Sequence, residues 1–269
     1  MTHQVIVEGV GLHTGVPVKV TLEASDGPVR LARGAVQATM NELDVVSTLR
    51  STTLDRREGG LRVQTVEHAL AAFGGLRVYE GVTIGVDGPE MPLLDGGAAQ
   101  WCDALKRVGV APGKPRLRVA RRAVIEVGQS RYELVPAEGV DIEVRLEIDD
   151  GRIAKKARWT GESDDFESRI ATARTFVSHG DVDDLIRSGL ARHVPPQAVI
   201  LLAPEAIHCA GRAFSSDEPA RHKLLDLVGD FYAFGGPPLG YVHAFRPGHA
   251  ANARAIRQAR DEGILFEER

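Results

Sequence analysis

The sequence predicts an α+β protein made of two similar halves. In each half, segments of strand character come first and helical segments follow. The run Gly109-Val110-Ala111-Pro112-Gly113-Lys114-Pro115-Arg116 reads as a linker, so domains are expected over 1–111 and 117–269. Neither half shows βαβ alternation, a GxGxxG or a P-loop, which removes the case for a nucleotide-cofactor fold.

The totals narrow the function classes. Hydrophobic residues make up 43% of the 269 and charged residues 26%, the balance of an ordinary globular protein. A net charge of −4 gives no global footprint for nucleic acid. Cys102 and Cys209 lie far apart and read as ordinary thiols rather than a disulfide framework. With no apolar leader and no run of 18 apolar residues, a cytoplasmic location is expected, with at most peripheral membrane contact.

Residues 4–10 and 16–22 alternate as strands around Gly9-Val10-Gly11-Leu12-His13-Thr14-Gly15, a hairpin-like turn with His13 near its tip. Residues 24–50 read as polar and irregular, with a strand piece near 29–32. Short strands follow at 51–54 and 61–64. Thr65 is placed to cap a helix from Val66 to Phe73 that stops at Gly74-Gly75. Val82–Val86 is a strand, 87–96 a loop rich in Pro, Gly and acid, and Ala98–Val108 a helix. In the second half, strands are expected at 117–126, 131–135, 140–148, 152–159, 199–202 and 241–245. Helices are expected near 164–173, 181–188, 218–234 and 250–261.

The chemistry concentrates in a few polar residues on apolar elements. His222 and Asp226 are four apart on a helix whose Leu224, Leu225, Leu227 and Val228 form a buried stripe, so both can face one cation. Alone, such a pair is ordinarily a surface salt bridge. Glu67-His68 leads a helix of small apolar residues, where a buried Glu needs a charge or a metal as partner. Two histidines and a carboxylate suffice for an open zinc site, where zinc lowers the pKa of a bound water toward ~7. Glu67 can serve as general base, His249 held by Asp230 as general acid, and Thr175 as oxyanion donor. That inventory suits metal-assisted amide hydrolysis.

Six motifs fall in one order: the 9–15 turn, Thr65-Val66-Glu67-His68, Pro89-Glu90-Met91-Pro92-Leu93-Leu94-Asp95-Gly96, Ala173-Arg174-Thr175-Phe176, Arg221-His222-Lys223-Leu224-Leu225-Asp226 and Gly248-His249-Ala250. In them the chain resembles LpxC, the UDP-3-O-acyl-N-acetylglucosamine deacetylase family of lipid A synthesis. The resemblance implies two similar α+β domains whose helices lie between two sheets, a β-α-α-β sandwich, and a monomer. It implies His68, His222 and Asp226 as zinc ligands, Glu67 as general base, and His249 as general acid with Asp230 orienting it. Thr175 would stabilise the oxyanion, while Phe176, Lys223 and His13 would meet a nucleotide-linked, acylated amino sugar. Two stretches depart from the family pattern. Gly189-Leu190-Ala191-Arg192-His193-Val194-Pro195-Pro196 makes a poor lipid passage, and Ile148-Asp149-Asp150-Gly151-Arg152 stands where a His-Pro motif is expected. These departures keep open the same hydrolysis on another N-acetylated sugar or small amide. A catalytically silent scaffold is disfavoured because Glu67 and His249 are both present.

Overall fold

The computed structural model describes residues 4–268. Its class is mixed α+β, with two five-stranded sheets built to one plan. The first runs Gln4–Val10, Pro17–Pro28, Glu80–Val86, Arg30–Arg33, Val36–Thr39. Every neighbour pair in it is antiparallel except Glu80–Val86 with Arg30–Arg33. The second runs Ala123–Val127, Ser130–Val135, Gly240–Phe245, Val140–Arg145, Lys156–Trp159, and again only the third and fourth are parallel.

The helices repeat the plan. In the first half α1 (Glu67–Gly75) precedes the last strand of the sheet and α2 (Ala99–Val108) follows it. In the second half a one-turn helix α3 (Ser163–Asp165) and then α4 (His179–Arg187) come first. There α5 (Glu218–Tyr232) precedes the last strand of the sheet and α6 (His249–Asp261) follows it. α2 packs on the first sheet, α5 on the second, and α1 lies along α5. One apolar cluster therefore runs from Leu22 and Ile84 through Leu70 and Leu224 to Ile142 and Val242. Each half also carries an insertion before its α1 or α5 helix. The first is the pair Leu43–Ser47 and Thr53–Arg56; the second is α4 with the sheet Thr175–Ser178, Val199–Leu202, Ile207–His208.

Several sequence expectations need correction. The 24–50 stretch has its expected strand piece, at 30–33, but it also holds the end of a 12-residue strand and the strands at 36–39 and 43–47 in place of irregular chain. A register shift between Ala24 and Pro28 breaks the alternation there, and the short strands each bury only one or two residues. Residues 61–64 contribute isolated bridges to Leu54 and Glu90 rather than a strand. Thr65 does not cap α1. Its backbone is left-handed, at φ 56°, and its hydroxyl donates to Glu90 Oε1 at 2.8 Å. A β-branched residue in that conformation costs ~1–2 kcal/mol, which the Glu90 bond offsets. The 164–173 helix is α3 followed by one wide turn at Phe166–Ile170. It ends early because other elements take its carbonyls: Ala98 N–H donates to Ala171 O, and His222 sits on Ala173 O. The 117–126 strand divides into Leu117–Val119 and Ala123–Val127, and the strand Leu265–Glu267 pairs with the first of these. The strands expected at 140–148 and 152–159 are shorter, at 140–145 and 156–159.

α5 is buried on more than the one stripe its leucines predict. Lys223 alone escapes full burial, because α1, α6, the second sheet and the 166–170 turn surround the helix. The polar residues of α5 therefore sit out of water, where each needs a partner.

Candidate active site

Of the ten residues singled out in the sequence, nine line one cavity of about 1300 Å³; Asp230 lies behind it. The helices explain the convergence. α1 brings Glu67 and His68 at its first turn, α5 brings His222, Lys223 and Asp226, and α6 begins at His249. α1 and α5 approach closely at Gly229, where a Cβ would lie 2.1 Å from the Glu67 carbonyl oxygen. Only glycine permits that approach.

His68, His222 and Asp226 offer ligand atoms within 4.8 Å of one another. The Asp226 Oδ1 stands 3.4 Å from His222 Nε2 and 3.7 Å from His68 Nε2. The two rings meet edge to face with centroids 5.1 Å apart. Burial, and then the neighbouring His222, hold His68 down to about 3. Burial also lowers His222, so both imidazoles are neutral near pH 7. The His222 Nδ1 lies 3.1 Å from the Ala173 carbonyl, which places the proton there and the lone pair on Nε2. Burial works against the Asp226 charge, but His222, at the low pH where it is protonated, and Lys223 outweigh it and keep the carboxyl well below the usual range. Its buried Oδ1 has no hydrogen-bond partner among the described residues. Two neutral imidazoles around an unpartnered carboxylate oxygen form a donor set that fits a divalent metal.

Glu67 stands beside this cluster. Burial lifts its carboxyl to about 7, and its Oε2 accepts from the Thr52 amide at 2.9 Å. Its Oε1 faces His249 Nε2 at 3.7 Å. His249 Nδ1 is 2.9 Å from Asp230 Oδ2. Burial opposes the His249 charge, yet Asp230, Asp226 and Glu67 outweigh it and raise the ring to about 10. The pair is thus a carboxylate near neutrality facing a protonated imidazole, the arrangement that base and acid need.

The remaining residues form the walls. Phe176 meets His222 edge to face at 6.1 Å, and Lys223 Nζ lies 5.4 Å over the Phe176 ring while bonding Asp226 Oδ2 at 2.7 Å. Thr175 opens its strand, held by its amide to the Gly96 carbonyl. The neighbouring Arg174 is buried and paired with buried Glu218 at 2.8 Å, which ties this strand to the start of α5. His13 is buried, with Nδ1 accepting from the Ala191 amide at 3.4 Å and Nε2 without a partner among the described residues.

A family model described as UDP-3-O-acyl N-acetylglycosamine deacetylase, LpxC, matches residues 1–260. The chain belongs to the LpxC family. Relatives named UDP-3-O-acyl-N-acetylglucosamine deacetylase agree with this. The Anaeromyxobacter dehalogenans protein is 35% identical over 260 residues, covering 93% of this chain and 83% of its own. The Myxococcus xanthus protein is 35% identical over 272 residues, covering 97% and 85%. The Brucella melitensis biotype 2 protein is 29% identical over 275 residues, covering 98% and 95%.

Within this LpxC-family site, four residues carry contacts that the sequence reading did not assign. Glu90 accepts from the amides of His13 and Thr14 and the hydroxyls of Thr14 and Thr65, so it fixes the His13 turn. Gly11 is required there, since a Cβ would lie 2.3 Å from Glu90 Oε2. Thr52 and Asn252 both bond Asp230. Arg50 lines the cavity and pairs with Asp181 of α4 at 2.8 Å. The signal for Glu90 was its place in a matching motif; Thr52, Asn252 and Arg50 gave none. The departing segment 189–196 packs on the His13 turn, with the His193 amide donating to Leu12 O at 3.1 Å. The other departure, 148–152, lines the cavity, with Arg152 bonded to Asp150 and to the Ala203 carbonyl.

Proposed function

We propose that the chain is a zinc-dependent deacetylase that hydrolyses the N-acetyl amide of UDP-3-O-acyl-N-acetylglucosamine in lipid A synthesis. The observation that carries the reading is the convergence, in one cavity, of the His68–His222–Asp226 donor set with Glu67 on one side and charged His249 on the other. Zinc on those three side chains supplies a Lewis acid that lowers the pKa of water and polarises the amide carbonyl. Glu67, fixed through Oε2, takes the proton of the attacking water on Oε1. His249, protonated and braced by Asp230, gives a proton from Nε2 to the leaving amine. The Thr175 hydroxyl donates to the developing oxyanion. Phe176 packs on the sugar, and Lys223 and His13 meet its polar and phosphate groups. In this reading the domains are 1–111 and 117–269, the enzyme is a cytoplasmic monomer, and it touches membranes at most peripherally. It takes a small-molecule substrate and no nucleic acid.

The test is acetate release from the UDP-linked substrate by zinc-loaded protein. Glu67→Ala should keep its zinc and lose ~10²–10⁴-fold in turnover. Release by wild type that the variant lacks supports the reading; loss of zinc by the variant contradicts the role of Glu67. A second reading, the same hydrolysis on a different N-acetylated sugar or small amide, is favoured by the packing of segment 189–196 on the His13 turn. Shortening the 3-O-acyl chain separates the two: the rate falls under the first reading and holds under the second.

A further inference from the structure

Thr52 belongs to the first half of the chain, yet it holds both the base Glu67 and the carboxylate that braces the acid His249. Its amide donates to Glu67 Oε2 at 2.9 Å, and its hydroxyl donates to Asp230 Oδ1 at 2.6 Å. Asp230 Oδ2 takes His249 Nδ1 at 2.9 Å and Asn252 Nδ2 at 2.7 Å, and the Tyr132 hydroxyl fixes Asn252 Oδ1 at 2.6 Å. Thr52, Asp230 and Asn252 are buried and none of them lines the cavity. They have no access to a substrate and act only through their neighbours. Without the hydroxyl, Asp230 Oδ1 keeps only the longer approach of His249 Nδ1 at 3.2 Å, His249 Nδ1 loses its own 3.3 Å contact with the Thr52 oxygen, and the carboxylate's last torsion is set from Oδ2 alone. The aim of the imidazole then rests on the Oδ2 side only.

We infer that Thr52 is a positioning residue: its hydroxyl locks Asp230, and through it the direction of His249 Nε2 toward Glu67. The inference rests on the hydrolase reading above and extends it to a residue outside the cavity. Thr52→Val keeps the shape and removes the hydroxyl, while Thr52→Ser keeps the hydroxyl. Thr52→Val should lower kcat for acetate release ~10–100-fold with KM and bound zinc unchanged, and Thr52→Ser should recover most of it. A second readout needs neither metal nor turnover: the His249 Nδ1 proton resonance in metal-free protein. It should be downfield in wild type and Thr52→Ser and displaced or exchange-broadened in Thr52→Val. A kcat for Thr52→Val within twofold of wild type, or an equal loss in Thr52→Ser, overturns the inference. If Thr52→Val does not fold, absence of the downfield proton in wild type overturns it instead. An inactive wild type whose His249 proton still answers to Thr52 sinks the substrate assignment and upholds the hydrogen-bond role.

Discussion

Gly229→Ala tests whether the helix crossing sets the site. Helix propensity by itself favours the change by ~1 kcal/mol, since alanine loses less backbone entropy than glycine. The structure opposes it. The new methyl would sit 2.1 Å from the Glu67 carbonyl oxygen, and α1 must retreat by about 0.9 Å to reach the 3.0 Å that Cβ atoms respect. The obstacle is backbone, with no rotamer to relieve it, so overpacking costs ~1–3 kcal/mol and outweighs propensity. Net of propensity the loss is up to ~2 kcal/mol, which at about 2–4 °C per kcal/mol for a chain of this size lowers Tm by up to ~8 °C. The same retreat pulls Glu67 and His68 away from His222 and Asp226, and a misplacement near 1 Å costs ~10²-fold in rate. Differential scanning calorimetry, zinc titration and acetate release measure the three effects. Gly180→Ala in α4, where an added Cβ meets nothing within 4 Å, is the control and should be neutral or slightly stabilising. A Gly229→Ala protein with wild-type Tm and zinc affinity would refute the crossing argument.

Other outcomes follow from the buried charges and the donor set. Zinc at ~100 times its Kd should raise unfolding stability by about 2.7 kcal/mol. His222→Ala should abolish that shift, and an unchanged shift would remove His222 from the ligand set. Glu218→Gln breaks the buried pair with Arg174 and should cost ~3–5 kcal/mol at pH 7 in urea unfolding. Burial raises the Glu218 carboxyl, but its bonds from Arg174 outweigh this and hold it below the usual value. A carboxyl lowered in the folded chain adds stability above its unfolded pKa, ~4.3, and that contribution is lost as pH falls through the folded value. The gap between wild type and Glu218→Gln should therefore be full at pH 7 and narrow below about pH 4. A gap constant from pH 7 to pH 3 contradicts the assignment.

Local geometry was legible in the sequence and distant geometry was not. His222 and Asp226 share a face because any helix places i and i+4 together, and Glu67-His68 was conspicuous on an apolar helix. The strand piece near 29–32 was legible, but those at 36–39 and 43–47 escaped notice because a strand with so few buried residues shows no period. The Thr65 cap failed because Glu90, 25 positions away, claims the hydroxyl. Thr52 meets Asp230 across 178 residues, and nothing in Ser51-Thr52-Thr53, all of them buried, tells which hydroxyl reaches that carboxylate. The family resemblance aligned motifs; it did not reveal what braces them from behind.

The donor set also imposes an order on biosynthesis. The first sheet is complete once Val86 has emerged, but the face of α1 that packs along α5 stays uncovered until Tyr232 is made. At 5–20 residues per second that interval is roughly 7–29 s. During it Glu67 and His68 stand without His222 or Asp226, and one imidazole alone falls short of the three protein ligands an open zinc site needs. Under the hydrolase reading, the three-ligand site therefore cannot exist before α5 has been made.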